Sequence, residues 1–104
     1  MKNDMFLQSL GLARRAGKLC YGYDSVVAQK HSLSAVFISS MLSARTEKNL
    51  VFALGDRNIK IVHLEYGMSE LGCAIGTKPI GIIGISDKGF AELLIGKLHR
   101  EVTE

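Results

Sequence analysis

Pro79-Ile-Gly-Ile-Ile-Gly-Ile-Ser86, closed by Asp87, is the run that decides the fold. From Ile80 to Ser86 nearly every position is apolar, which predicts a central strand covered on both faces. The run is short and broken by glycines, far from the roughly 20 residues a membrane helix needs. Asp87 is placed to cap a last helix in which Phe90, Leu93, Leu94 and Leu98 recur at helical spacing. Upstream, Ser69 is the expected cap of a short helix ending near Gly76, and Ile59-Lys-Ile-Val-His63 reads as a compact strand. Ser43 caps a helix that carries Leu50, Val51 and Leu54 inward and stops at Gly55. Ser34-Ala-Val-Phe-Ile-Ser39 has the β-branched and aromatic content of a buried strand. A helix from Tyr23 to His31 and a short strand through Leu19 and Cys20 precede it. Asn3 or Asp4 caps the first helix, whose apolar stripe is Phe6, Leu7, Leu10, Ala13 and Leu12. Helix and strand thus alternate, and the expectation is an α/β chain folded as a three-layer α/β/α sandwich.

Length and composition agree. The 104 residues suffice for one packed core without metal or disulfide support, so residues 1–104 are expected to form a single domain. The 47% hydrophobic and 22% charged content argues against disorder. No basic-then-apolar leader opens the chain, so a cytoplasmic location is expected. Cys20 and Cys73 lack a CxxC spacing and read as two buried reduced thiols, with a disulfide or redox pair the alternative. The net charge of +3 is unevenly spread: residues 1–52 carry seven cations against three acids, residues 53–104 six against seven. A basic half of this kind can hold a polyanion, although many proteins with this balance bind none.

Catalytic constellations are missing. His31, His63 and His99 fall on three different predicted elements, without a carboxylate or cysteine at ligand spacing, and read as surface or element-end histidines. No serine lies in a G-x-S-x-G elbow, and no nucleotide-binding glycine loop is present. Glu92, Glu101 and Glu104 read as a solvated helix face. The expectation is a protein that is not an enzyme and needs no cofactor or metal.

Two glycine-rich corners carry what signal remains. In Leu10-Gly-Leu-Ala-Arg-Arg-Ala-Gly-Lys-Leu-Cys-Tyr-Gly22, a helix ends at Gly17, a strand begins, and Gly22 opens the next helix. Arg14, Arg15 and Lys18 fall within five positions, with Lys30 as a possible flank, beside amide donors at a helix N-terminus. That arrangement suits a phosphate backbone. Tyr21 and Tyr23 either stack on unpaired bases or pack along the sheet edge. The second corner is Leu71-Gly-Cys-Ala-Ile-Gly-Thr-Lys-Pro79. It is either a capped helix-to-strand connection or a gripping loop, with Gly76 approaching RNA closely and Thr77 and Lys78 supplying polar contacts.

The Leu10–Leu19 run with Gly22 and Val26-Val27, together with Glu70-Leu-Gly-Cys-Ala-Ile-Gly76 and the Ile80–Ser86 strand with Asp87, Gly89, Phe90 and Ala91, resembles the bacterial YlxQ-like ribosomal proteins. These belong to the superfamily of ribosomal proteins that bind kink-turn RNA, and the resemblance covers nearly the whole chain. It implies a three-layer α/β/α sandwich around a four-stranded mixed sheet. It also implies that a sharply bent RNA is held by the start of the second helix and the loop before the last strand. Carried over by residue, Gly22 fits and Asp24 keeps an acceptor, whereas Ser25 stands where the superfamily has a glutamate and Ala28 where it has a lysine. Arg14, Arg15, Lys18, Gly22, Tyr23, Asp24, Ser25, Gly76, Thr77 and Lys78 are therefore the expected RNA-binding residues. Structured RNA, ribosomal RNA in particular, is the expected partner, the ribosome the expected context, and a monomer the expected state, with no membrane contact. Two other classes stay open: a protein-interaction module that kept the fold, and a small-ligand-binding regulator using the Gly76 corner.

Overall fold

The apolar run does form the middle of a sheet. In the computed structural model, which describes residues 4–55 and 58–102, β4 (Ile82–Ile85) lies between β1 (Leu19–Tyr21) and β2 (Ala35–Ile38), antiparallel to both. β3 (Lys60–His63) pairs parallel with the far side of β2. All four residues of β4 and all four of β2 are buried. Such strands need no alternation of apolar and polar residues, because both faces are covered.

Five helices supply the cover: α1 (Met5–Arg15), α2 (Tyr23–Ala28), α3 (Ala44–Leu54), α4 (Met68–Ile75) and α5 (Lys88–Val102). Phe6, Leu10 and Ala13 of α1, Leu71 and Ile75 of α4, and Ala91 and Leu94 of α5 pack on Ala35, Phe37, Ile83 and Ile85. On the other face, Val26 of α2 and Leu50 and Leu54 of α3 pack on Val36, Ile38 and Ile82. Successive strand residues point to opposite layers, so each strand feeds both cores. The Phe6 ring stands edge-on to Phe37 at 5.7 Å and stacks on Tyr66 at 5.4 Å, and Tyr66 donates to Asp4 at 2.7 Å.

Several helix ends follow from local chemistry. Asp4 accepts from the Leu7 amide, Ser43 from Thr46 and Asp87 from Phe90, each satisfying a first-turn donor. Asn3 and Glu104, with the side chains of His99 and Glu101, lie outside the described residues.

Other expectations are corrected. α4 starts after Gly67 rather than at Ser69, because the Glu70 carboxylate reaches back to the Gly67 amide at 2.9 Å. α2 stops at Ala28 and tightens into a 3-10 turn over Lys30–Ser32. The tighter turn brings Leu33 into the second core against Gly84. Val51 and Leu93 point outward, 45% and 44% exposed, since Leu50 with Leu54 and Ala91 with Leu94 already occupy the inward faces. Leu12 is likewise 52% exposed. The two cysteines are free, but only Cys20 is partly buried; Cys73 lies on the exposed side of α4. Among the described residues, no helix is long and apolar enough to cross a membrane.

Candidate nucleic-acid interface

The first glycine corner is built by a paired helix stop. Gly17 takes a left-handed conformation (φ 74°), its amide bonds the Arg14 carbonyl at 3.0 Å, and the Lys18 amide bonds Ala13 at 3.0 Å. These two bonds close α1 and turn the chain into β1. Arg14, Arg15 and Lys18 are exposed at this end. Arg14 does not simply project into solvent. Its guanidinium donates to the carbonyl of Ile75, the last residue of α4, and lies 5.2 Å from the centroid of the Tyr21 ring.

The second corner begins where that carbonyl stands. Gly76 is left-handed (φ 78°), and the Gly76 and Thr77 amides bond back to Cys73 and Gly72 at 3.3 and 2.8 Å. The chain then doubles back along α4, until the Ile80 amide reaches the Met68 carbonyl at 3.1 Å. The retreat is so close that a Cβ on Gly72 would stand 2.2 Å from the Lys78 carbonyl oxygen. Gly72 is thus a glycine that permits close approach, and what approaches there is the protein's own backbone. Thr77 is half-buried, while Gly76, Lys78 and Pro79 are exposed.

The two corners meet. Gly22 (φ 91°) donates to the Ile82 carbonyl at 2.9 Å, and a Cβ on it would lie 3.9 Å from the Ile80 side chain. Antiparallel pairing of β1 with β4 therefore sets the start of α2 beside the loop that leads into β4. Arg14, against Ile75 and Tyr21, joins the far end of that loop to the same strand. Arg14 and Arg15 also border an open groove of about 480 Å³ floored by Gly11, Ala74 and Gly76. Asp24 and Ser25 are exposed on the first turn of α2, as is Ala28 one turn on.

Not every expected residue joins them. Lys18 sits at the other end of β1, its carbonyl accepting from Ser86, so about 13 Å of strand separates it from Gly22. Lys30 is drawn away altogether and donates to the Ala53 carbonyl at the C-terminal end of α3, 3.0 Å off. Tyr23 packs against the second core and donates to Asn49 at 3.2 Å, while Tyr21 packs on the first core beneath Arg14. Both rings are thus held within the fold. Neither the packing role of Gly72 nor the inward contacts of Arg14 follow from the sequence pattern alone. A glycine in the middle of the short helix 68–75 was the available signal for the first.

Electrostatically the corner is positive, with Asp24 the one acid among the expected residues. Burial pushes the Cys20 thiol up, partly offset by a backbone hydrogen bond from Gly84, so it stays neutral. His63 pairs with Glu47 at 2.5 Å on the outer surface. Among the described residues, no group of histidine, cysteine and acidic side chains is arranged to hold a metal.

Comparison with family models and with curated proteins finds no match. Solved structures do match. A protein of unknown function from Bacillus halodurans C is 30% identical, with a TM-score of 0.83 over 93% of this chain and 99% of that one. The chain belongs to that protein's family. A Giardia lamblia 15.5kD RNA binding protein is 14% identical, with a TM-score of 0.69 over 96% of this chain and 90% of that one. At that identity the likeness establishes a shared fold.

Proposed function

We propose that this protein is a non-enzymatic, YlxQ-like RNA-binding protein of the cytoplasm, a monomer that grips a kinked or otherwise structured RNA, with ribosomal RNA its foremost target. The observation that carries the reading is the meeting of the α2 start with the α4–β4 loop, which carries the exposed Lys78 and runs from a groove bordered by Arg14 and Arg15. An RNA-binding protein of the same fold supports it. Gly22 leaves the first turn of α2 without a side chain across it, so a phosphate or base edge can come close. Asp24 and Ser25 offer acceptor and hydroxyl groups on that turn, and the loop whose Ile80 end lies beside it also carries Gly76, Thr77 and Lys78. Ser25 and Ala28 weaken selectivity for a simple kink-turn.

The test is titration of the protein with a short RNA duplex carrying a kink-turn bulge, against the same duplex without it, over a range of salt. Removing Arg15 and Lys78 together should weaken binding and flatten the salt slope by up to about two units. Binding that is equal for both RNAs and insensitive to salt and to the double substitution would sink the reading. A second reading, a protein-interaction module, is favoured by Phe52, 87% exposed on α3 beside Val51. A partner captured through that face would survive both ribonuclease and high salt.

A further inference from the structure

The cations of the first corner are not equivalent. The last carbonyls of a helix lack intrahelical partners, and at the end of α4 Arg14 supplies a charged donor to one of them, Ile75. The positive group also lies at the negative end of the α4 dipole, and its position over the Tyr21 ring adds a cation–π contact from β1. One side chain thus ties α1, β1 and α4 together at the point where the α4–β4 loop departs. The rest of that loop is pinned at Thr77 to Gly72 and at Ile80 to Met68. Lys78 is carried outward on this clamped segment. Arg15, about 100° further round α1, stays exposed.

We infer that Arg14 is a positioning residue, latching the α4–β4 loop against β1 so that Lys78 is held at a fixed distance from the start of α2, and that it is not itself a phosphate contact. The inference rests on the RNA-binding reading for its consequence, though not for the latch. A latched loop loses little conformational freedom on binding, so releasing it should cost affinity without removing a counterion.

Arg14→Lys separates the two roles, because lysine keeps the charge and loses the planar group that can both stack and donate. The expected result is about a tenfold loss of affinity for the bulged duplex, roughly what a charge-assisted hydrogen bond supports. The salt slope should match the wild type, and amide exchange at Thr77 and Ile80 should be faster. Arg45→Lys, exposed on the first turn of α3 and outside the proposed site, should change none of these. Tyr21→Leu, which keeps the core filled and removes the ring face, should speed the same amides. Arg14→Lys binding with full affinity and unaltered exchange overturns the latch. If the wild type binds neither RNA, the functional reading fails by itself; amide exchange in Arg14→Lys then decides the latch, faster exchange upholding it and unchanged exchange refuting it.

Discussion

Gly72→Ala is the sharpest test of how the site is built. The glycine is buried in α4, and the added methyl carbon would lie 2.2 Å from the Lys78 oxygen, 2.7 Å from its carbonyl carbon and 3.0 Å from Pro79 Cα. All three are backbone atoms, so no side chain can rotate out of the way. Restoring an ordinary contact means moving the 77–80 segment off α4 by about 1 Å. That shift strains or breaks the Thr77–Gly72 and Ile80–Met68 hydrogen bonds, each worth about 1 kcal/mol net, and adds an overpacking cost of about 1–2 kcal/mol. Less the ~0.5–1 kcal/mol that alanine gains over glycine inside a helix, the sum is roughly 2–3.5 kcal/mol, a large share of the stability of a chain this size, and corresponds to a fall in Tm of about 10–25 °C. Thermal unfolding followed by circular dichroism reads it directly. Gly96→Ala is the matched control: it lies in α5 with nothing within 4 Å of the new methyl, so it should gain about 0.5–1 kcal/mol from helix propensity. A Gly72→Ala protein melting within about 2 °C of wild type would refute the close-packed loop.

Gly76→Val should lower stability by roughly 1–2 kcal/mol through its left-handed backbone alone, whereas Gly76→Asn, which tolerates that region, should lose less; thermal melts of the pair distinguish strain from lost RNA contact. Ser25→Glu with Ala28→Lys places a carboxylate and an ammonium on exposed positions of α2, and should raise the preference for a bulged over a plain duplex by about 1–3 kcal/mol; no change in the ratio means this turn does not read bases. In native protein an alkylating reagent should modify Cys73 first, with Cys20 reacting only slowly, and mass spectrometry of the labelled peptides checks the order. Because burial raises the Cys20 thiol, its contribution to stability is complete below the ordinary value of 9.0 and is lost as pH climbs through the raised one. Cys20→Ala should therefore show a shallower loss of stability in alkaline solution than the wild type.

Much of the fold is legible because its signals are local. Asp4, Ser43 and Asp87 cap helices with their own side chains, and Gly17, Gly55 and Gly76 end helices with backbone angles other residues avoid. β4 is legible for a different reason, since only a strand covered on both faces tolerates isoleucine at Ile82, Ile83 and Ile85 in succession. What fails is the choice among neighbouring apolar residues. Val51 adjoins Leu50, and Leu93 adjoins Leu94, and which of them turns inward depends on how the helix is rotated against the sheet. Arg14 is illegible on the same grounds. Its partner Ile75 lies 61 positions away, and only the side-by-side packing of α1 and α4 brings the carbonyl within reach.

The site itself owes more to topology than to any motif. A strand that pairs antiparallel with its neighbour must end where the neighbour begins, so the helix after β1 and the loop before β4 are adjacent whatever residues they carry. β2 reaches the same end of the sheet, where the Ser39 amide bonds the Gly81 carbonyl at 2.9 Å. The geometry of the corner is thus fixed by Gly22, which must take φ 91°, by Gly76 at φ 78°, and by Gly72, which must leave room for a backbone. Ser25 and Ala28 do none of this: they are exposed on α2 and can change without moving an element. On the RNA-binding reading, their departures from the resembling superfamily bear on which RNA is chosen, while the frame set by the glycines stays intact. A variant with both positions altered should keep the wild-type melting temperature within about 2 °C while its RNA preference moves, whereas each glycine variant should move the melt first.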